Sequence, residues 1–377
     1  MIDDKRLIKL TQDLVRINSE NPPGNEAAVA AFVAGYMRRL GLRTQVVAFR
    51  PNRQNVLAWL PSRRKAAKTL LITPHLDTVP AGSGWKHDPF AAAVAGPKMF
   101  GLGTTDCKGN LAVAMEAMAS LVEDKVQLPY TLLFAATADE ESGSTWGLIP
   151  LLDKKILKPD AAVVLDADDF EIIVAQKGLM HLKVRLTGKK AHGAYPWLGV
   201  NAIDQAARVL ADLQSYRFPA GTNRFLRRPT VNVGTIKGGD KVNVVAGWCE
   251  FELDYRFLPG MSAPQLLAGL KAILRRHSRD FDIKIDGIQQ PYGIDTGHPL
   301  VRHLSSAMRA CRIKPRIRGS EGATVITFFQ HKGIPAVATG FGAEGCAHIV
   351  DEFVPVANLT KGARCLQVFL KEFSWKD

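Results

Sequence analysis

Short runs of apolar, largely β-branched residues alternate along this chain with amphipathic segments of helical periodicity, and this alternation limits the folds open to it. Four such runs indicate buried strands, at 69–73, 131–137, 161–165 and 335–339. Between them, residues 26–40, which end before Gly41, and residues 109–123 have the spacing of helices. Buried strands separated by helices are typical of a mostly parallel sheet with helices on both faces. We therefore predict an α/β fold.

The middle of the chain has a different pattern. In 249–257 the odd positions are apolar or aromatic and the even positions are charged, which predicts an antiparallel strand with one exposed face. Around it the sequence indicates strands at 180–186 and 282–288, one more strand between 213 and 249, and helices at 201–213 and 263–277. We predict a β-α-β-β-α-β domain at 178–291, inserted into a first domain formed by 1–177 and 292–377.

Composition limits the partners and the compartment. The chain has 49 Lys and Arg against 36 Asp and Glu, a formal charge of +13. These cations are scattered and follow no nucleic-acid motif, so we expect solvated faces and no nucleic-acid partner. No apolar run approaches the ~20 residues of a membrane span, and the five cysteines form no Cys-x-x-Cys pair. We expect a cytoplasmic protein without a membrane partner.

Acidic and histidine side chains directly follow three of the predicted buried strands. His75 and Asp77 follow the first, residues 139–141 (Asp-Glu-Glu) the second, and Asp166 the third. In open α/β sheets, ligands bind in the crevice at the carboxyl ends of the strands. We therefore expect these side chains to converge.

Two more groups extend this set into a possible metal site. Asp106 ends a glycine-rich turn before a predicted helix, and His348 follows the last predicted strand. Imidazole and carboxylate ligands suit Zn²⁺ or a similar divalent ion, and one carboxylate must bridge if two ions lie ~3.5–4 Å apart. The neighbours Glu140 and Glu141 suit a division in which one binds metal and the other acts as a base.

Each motif alone has a simpler explanation. An isolated His-x-Asp is usually structural, an Asp-Glu-Glu run is usually a solvated turn, and Asp106 could cap the helix that follows. Lys108 is expected to be solvated at the start of that helix. The order of the motifs and their positions at strand ends nevertheless favour a site.

A series of motifs extends over nearly the whole chain. They are Asn21-Pro22-Pro23-Gly24, His75-x-Asp77, Asp106-x-Lys108-Gly109, Asp139-Glu140-Glu141-Ser142-Gly143, Ala191-His192-Gly193, Asn243-Val244-Val245, Asp254-x-Arg256 and His348-x-x-x-Glu352. In these motifs the chain resembles the dinuclear zinc family of acetylornithine deacetylase, succinyl-diaminopimelate desuccinylase, aminoacylase and glutamate carboxypeptidase. The resemblance implies a zinc-exopeptidase-like catalytic domain and an inserted α+β lid and dimerisation domain.

The resemblance also implies metal ligands. His75 and Asp166 would bind one ion, Glu141 and His348 the other, and Asp106 would bridge the two. The peptide bond after Asp106 is often cis in this family.

Further roles implied by the resemblance concern catalysis and substrate. Asp77 would orient His75, and Glu140 would be the general base. His192 would reach across a dimer interface to the developing oxyanion, and Asn243 would bind substrate. Arg256 could grip a substrate carboxylate as a bidentate fork, or it could pair with an acidic neighbour of its own strand.

These expectations combine into one activity. Two divalent ions, zinc or alternatively cobalt or manganese, would generate a bridging hydroxide with Glu140 as general base. The substrate would be an N-acyl amino acid or short peptide with a free carboxylate, and the chain would be a homodimer. A dipeptidase or aminopeptidase on the same fold, and a non-catalytic binding protein, remain open alternatives.

Three positions depart from the pattern of the family. Cys107 replaces a common methionine, and Asp166 replaces a glutamate of many deacylases, aspartate being more typical of aminopeptidases and dipeptidases. Residues 320–323 (Ser-Glu-Gly-Ala) replace a threonine-aspartate pair of the substrate pocket. These departures leave the identity of the substrate open.

Overall fold

The structure is a computed structural model that describes residues 1–64, 67–166, 169–218, 221–322 and 324–376. Residue contacts divide the chain into two compact units. The first comprises Met1–Val174, Ile294–Arg318 and Phe328–Asp377, and the second comprises Ala175–Gly293 and Gly319–Thr327. The second unit includes a stretch after residue 318 that the predicted insertion, 178–291, did not contain. The functional division at 178 and 291 stays a prediction.

The first part of the chain supplies most of the first unit. Its elements are α1 (Asp4–Arg16), α2 (Ala27–Arg39), β1 (Arg43–Ala48), β2 (Gln54–Leu60), β3 (Thr69–Thr73), β4 (Ala93–Ala95), β5 (Lys98–Phe100), α3 (Lys108–Glu123), β6 (Thr131–Ala136), α4 (Leu148–Asp153), β7 (Ala161–Leu165) and β8 (Glu171–Gln176). The predicted strands at 69–73 and 161–165 coincide with β3 and β7. The predicted helix at 26–40 corresponds to α2, after which Gly41 has a positive φ of 76°, a backbone conformation that glycine adopts readily.

The middle and last parts of the chain contain the remaining helices and strands. The middle contains β9 (Gly178–Thr187), a 3-10 turn (Pro196–Leu198), α5 (Ala202–Ser215), β10 (Thr230–Gly238), β11 (Trp248–Phe257), α6 (Ala263–His277), β12 (Phe281–Gln289) and β13 (Tyr292–Gly293). The last part contains α7 (Pro299–Ala310), β14 (Arg316–Ser320), α8 (Ile326–Gln330), β15 (Ala336–Thr339), β16 (Phe353–Pro355) and α9 (Val356–Glu372).

The first unit is built on a mixed sheet whose central strands are parallel. The order is β1-β2-β6-β3-β7-β15-β8. Strands β6, β3, β7 and β15 run parallel to one another, whereas β1, β2 and β8 are added antiparallel at the two sides. Helix α3 is buried from Lys108 to Leu121 and packs against α1 and α9. The predicted α/β class is confirmed.

The second unit contains a four-stranded antiparallel sheet in the order β10-β11-β9-β12. Along β11 buried and half-buried residues alternate at every position, as the sequence predicts. The buried side chains, among them Phe251 and Tyr255, form one core with Leu266 and Leu270 of α6. The β-α-β-β-α-β order predicted for this region is confirmed. Among the described residues no helix has the length and apolarity needed to cross a membrane.

Candidate metal centre

The parallel strands bring the predicted acidic and histidine groups to one edge of the sheet. Strand β3 pairs with β6 on one side and β7 on the other, so their carboxyl ends are adjacent. His75 follows β3 and forms a parallel bridge to Thr137, directly after β6. The backbone N–H of Asp166, directly after β7, donates to the carbonyl of Thr339 at 2.9 Å. The topology thus explains why groups distant in sequence meet.

Asp106 lies at the centre of this group and faces a different partner with each carboxylate oxygen. Its Oδ1 is 3.0 Å from Nε2 of His75, and its Oδ2 is 3.2 Å from Nε2 of His348. Asp166 Oδ1 approaches His75 Nε2 at 3.5 Å, while Glu141 Oε2 approaches His348 Nε2 at 3.1 Å. Asp106 is therefore shared by two sets of ligand-type atoms.

Those sets have the dimensions of metal sites. The ligand atoms of His75, Asp106 and Asp166 lie within 4.8 Å of one another, as do those of Asp106, Glu141 and His348. A further set within the same limit comprises His75, Glu140 and Glu141. Asp106 does not cap α3, because the N-cap residue is Cys107 and its side chain makes no capping hydrogen bond. The Asp106–Cys107 peptide is cis.

The tautomer of His75 is fixed by the backbone at Asp77. Nδ1 of His75 is 2.9 Å from the carbonyl oxygen of Asp77 and 3.6 Å from the Asp77 Oδ1. A carbonyl can only accept, so Nδ1 donates its hydrogen there, and Nε2, the nitrogen that faces Asp106 and Asp166, is the one suited to bind a metal ion. The shorter contact of His75 is thus to the backbone of Asp77, and not to its carboxylate.

The carboxylate of Asp77 instead holds the segment that contains the two glutamates. Its two oxygens accept from the backbone N–H groups of Glu140 and Glu141, each at 3.1 Å, and Oδ2 accepts from the side chain of Asn21 at 2.8 Å. Asp77 is fully buried. One buried carboxylate therefore fixes both glutamates by their backbone.

The cluster has more negative charge than the chain around it neutralises. Hydrogen bonds to Asp106 and Glu141 raise the pKa of His348 to about 11. Burial and the charge of Asp166 raise the pKa of Glu140 well above its usual range. For His348 the cause is the negative charge of these carboxylates, whereas for Glu140 burial contributes most and neighbouring carboxylates add to it. Divalent cations would neutralise that charge more fully than protons do.

A second observation, an unpartnered carboxylate oxygen, also indicates that these side chains can hold a metal ion. Glu141 Oε1 is buried and has no hydrogen-bond partner among the described residues. Buried carboxylate oxygens rarely lack a partner, and each exception calls for an explanation such as an ion. The remaining donors are imidazole nitrogens and carboxylate oxygens, which suit zinc, cobalt or manganese.

Glu352 holds the loop that contains Asp106. Its carboxylate accepts from the backbone N–H groups of Gly103, Thr105 and Asp106 at 2.9, 2.7 and 3.0 Å. Burial raises its pKa to about 7, although the three N–H donors oppose this. The sequence reasoning gave Glu352 no role, and its spacing from His348 was the available signal.

The environment of Lys108 differs from the one predicted from the sequence. Lys108 was expected to be solvated, but its side chain is fully buried, and its Nζ donates to the carbonyl of Ile17 at 2.6 Å. Burial lowers the pKa of Lys108 to about 7. The reason is topological, because α3 starts inside the unit and its first turn has no access to solvent.

A buried network of charged side chains holds Asp139, the residue directly before the two glutamates. Arg53 is 5% exposed and contacts Asp139 at 2.5 Å and Glu26 at 2.9 Å. Asn21 joins the two layers, since its Nδ2 reaches Asp139 at 3.2 Å as well as Asp77. Asp139, whose φ is +65°, thereby has a fixed position directly before Glu140.

The remaining predicted residues belong to the second unit. His192 and Asn243 are exposed and lie on adjoining segments, since His192 bridges Val244 and the N–H of Gly193 donates to the carbonyl of Asn243 at 2.8 Å. Nδ1 of His192 accepts from the backbone N–H of Ala194 at 3.1 Å. The hydrogen of a neutral His192 ring is therefore on Nε2.

Arg256 has an acidic partner on its own strand. Its Nε and Nη2 donate to the two carboxylate oxygens of Asp254 at 2.8 and 3.1 Å. Of the two possibilities that the sequence left open, this geometry is that of the structural pair. The side chains of both residues are half-buried.

Glu321 lies at a position where the sequence departs from the family, and it binds residues of the second unit. Its carboxylate lies 2.6 Å from Nζ of the buried Lys177 and accepts from the backbone N–H of Arg227 at 2.8 Å. Ala323, in the same motif, lies outside the described residues. The segment is thus anchored by a charge pair.

Comparisons with known proteins agree on one family. The model of peptidase family M20/M25/M40 matches residues 71–372. Acetylornithine deacetylase of Vibrio cholerae serotype O1 is 30% identical over 370 residues, which cover 93% of this chain and 92% of that protein. The structure of aminopeptidase PepT from Bacillus cereus superposes with a TM-score of 0.82 at 24% identity, covering 98% of this chain and 99% of that one. The YXEP protein of Bacillus subtilis, described as a dinuclear metal-binding peptidase from the M20 family, has a TM-score of 0.75 at 16% identity and covers 98% and 97%.

The network behind the glutamates leads to a stability prediction. We expect Arg53→Met to lower the free energy of unfolding by about 3–5 kcal/mol at pH 8, because it leaves Asp139 and Glu26 buried without their cation. The measurement is urea denaturation followed by circular dichroism. The control is Arg16→Met, since Arg16 is 48% exposed and 3.7 Å from Asp13 and should contribute less than about 1 kcal/mol. Equal losses in the two variants would contradict the structural role of Arg53.

Proposed function

Because the chain belongs to peptidase family M20/M25/M40 and is a metallohydrolase of amide or peptide bonds, we propose that it hydrolyses an N-acyl amino acid or short peptide with a free carboxylate at a dinuclear centre. The observation that supports this most strongly is Asp106, whose two oxygens face His75 and His348 separately. A carboxylate so placed is suited to bridge two ions.

The proposed ligands follow from the two sets of atoms. His75 and Asp166 would hold one ion, Glu141 and His348 the other, and Asp106 both. Zinc suits these ligands best, with cobalt or manganese as alternatives. When bound, the ions would act as Lewis acids on the amide carbonyl oxygen and make water more acidic.

Glu140 is the proposed general base. Its carboxylate would take a proton from the attacking water and return it to the nitrogen of the leaving amine. Burial, together with the charge of Asp166, raises its pKa, and a raised pKa lets one carboxylate act in both directions near neutral pH. Asp77 would be a positioning residue, because it fixes the backbone of Glu140 and Glu141.

A homodimer through the second unit is part of the proposal. Large apolar side chains are exposed on its surface at Tyr195, Trp197, Leu198, Val200, Ile203, Ile236 and Val242. Trp197 is 73% exposed, and β10 lies at the end of its sheet. An exposed apolar patch beside an unpaired strand edge is typical of a protein–protein interface. A second copy of the chain would bury it.

His192 is the proposed contribution of the partner subunit to the reaction. Its ring has the hydrogen on Nε2, because Nδ1 accepts from Ala194. Nε2 could therefore donate to the oxygen that becomes negative when the amide carbonyl is attacked. Asn243, on the adjoining segment, is the proposed substrate-binding neighbour.

A dipeptidase or aminopeptidase is the second candidate. Asp166 is typical of that branch, and the fork of Arg256 is already paired with Asp254. Such an enzyme would recognise a free substrate amine instead of a carboxylate. The test of Arg256 given below distinguishes the two candidates.

The first prediction separates the two glutamates. We expect Glu140→Gln to keep two ions per chain and to lose hydrolysis by at least ~10²–10⁴-fold, the usual contribution of an acid–base group. Glu141→Gln should lose metal, because it removes a ligand. Elemental mass spectrometry and turnover of an N-acyl amino acid or dipeptide hydrolysed by the wild type provide the two readouts.

A surface glutamate offers the matched control. Glu344 is 68% exposed, and Glu344→Gln should keep both metal and activity. Metal loss in Glu140→Gln with full occupancy in Glu141→Gln would mean that the roles are reversed.

The second prediction concerns substrate recognition by Arg256. The wild type should prefer an N-acyl amino acid over its carboxamide, and Arg256→Ala should lose that preference by ~1.5–3 kcal/mol, as expected for a charged hydrogen bond. The measurement compares kcat/KM for the acid and the amide. Arg185→Ala is the control, because Arg185 lies on the neighbouring strand and pairs with Glu250. Equal turnover of acid and amide by the wild type would favour the dipeptidase or aminopeptidase.

The third prediction tests the composite site. Heterodimers of a His192→Ala chain with a Glu140→Gln chain should recover activity, because one of their two sites then has both side chains intact. Each variant alone should be nearly inactive. Verified heterodimers without recovery would show that His192 acts within its own chain or has no catalytic role.

A further inference from the structure

Two cysteines outside the metal centre lie on neighbouring helices of the first unit. Cys311 ends α7 and Cys365 lies within α9, and these two helices pack together. An interaction between their thiols shifts the pKa of both, lowering that of Cys311 and raising that of Cys365. Of the five cysteines, all among the described residues, four are buried and Cys311 alone is half-buried. The pair therefore joins one accessible thiol to one protected thiol.

The accessible thiol opens into a cationic cavity. The cavity has a volume of about 720 Å³, and Cys311 lines it together with Arg312, Lys361, Arg364 and Gln367. The last three belong to the turns of α9 on either side of Cys365, so the cavity connects Cys311 to the part of α9 that contains Cys365. Nearby cations favour a thiolate over a thiol.

The electrostatics of the two sulfurs differ. The interaction with the Cys365 thiol and the charge of Arg364 lower the pKa of Cys311 to about 7, against the effect of burial. The carboxyl end of α7 disfavours an anion at this position, and the charge of Arg364 acts against that effect. For Cys365, the interaction with Cys311 and burial raise the pKa. Cys311 is thus the nucleophile of the pair.

We propose that Cys311 and Cys365 form a peroxide-reactive site, in which Cys311 is oxidised by a hydroperoxide and Cys365 resolves the product to a reversible disulfide. In the first step the Cys311 thiolate attacks the peroxide oxygen, the O–O bond breaks, and the alkoxide or hydroxide leaves and takes a proton. This gives a sulfenic acid, with sulfur oxidised and the peroxide reduced. In the second step the Cys365 sulfur loses its proton and attacks that sulfur, and water leaves.

The bridge would connect α7 to α9 covalently. Helix α9 packs against α3, whose first residue, Lys108, follows Asp106 by two positions. Oxidation would therefore restrain a helix layer that adjoins the proposed metal centre. The chemistry of the pair does not depend on the proposed hydrolase activity.

The experiment treats the reduced full-length protein with hydrogen peroxide, alkylates the remaining thiols and maps the peptides by mass spectrometry. We expect one disulfide, between Cys311 and Cys365, and its reversal by dithiothreitol. Wild-type protein suffices for this step, so no variant has to fold. A map without that linked peptide, at a peroxide dose that oxidises a free cysteine peptide, would overturn the proposal.

Variants then test the order of events. Cys365→Ala should stop at the sulfenic acid of Cys311, which a 1,3-dione reagent labels. Cys311→Ala should leave Cys365 unlabelled, because that thiol is buried. The control Cys249→Ala, in the second unit, should form the same disulfide as the wild type. Labelling of Cys365 in the absence of Cys311, or a bridge that requires Cys249, would contradict the assignment.

Discussion

Mutual repulsion among the carboxylates gathered around Asp106 is the constraint on which the rest of the site depends. Glu140, Glu141 and Asp166 approach the same point, and in the described part of the chain only the imidazoles of His75 and His348 lie among them. Like charges at such distances raise one another's pKa values and oppose folding unless cations bind or protons are taken up. The fold holds these groups together because adjacent parallel strands end there, so the preference for divalent cations originates in the topology of the sheet.

Asp106 and the two glutamates are held in place by buried carboxylates that accept from their backbone N–H groups. Glu352 holds the loop of Asp106 by three backbone N–H groups, and Asp77 holds the glutamates by two. Arg53 forms ion pairs with Glu26 and with Asp139, the residue before Glu140. Metal sites need such outer contacts, because ligands that can relax would lose the geometry that the ions impose. The same contacts explain why buried charges are tolerated at this edge of the sheet.

The sequence predicted the elements whose pattern is periodic. Strands β3 and β7 are buried on both faces, so their sequences are continuous apolar runs. Strand β11 is buried on one face, so its sequence alternates between apolar and charged residues. Both patterns can be recognised in a sequence. Strand β1 was not predicted, since it is exposed or half-buried along its length and has no such pattern. Strands β2 and β8 were also not predicted, although most of their residues are buried. In the site, the strand-end groups could be predicted. Arg53 and Lys108 could not, because a sequence does not show which charged side chains become buried.

Metal binding at Asp106 is the central claim, and crystallography of the zinc-loaded protein tests it most directly. Anomalous difference maps recorded above and below the zinc absorption edge locate each ion independently of activity. We expect two peaks ~3.5–4 Å apart, with one oxygen of Asp106 at each, His75 at one ion and His348 at the other. A single peak, or two peaks that do not share Asp106, would contradict the account.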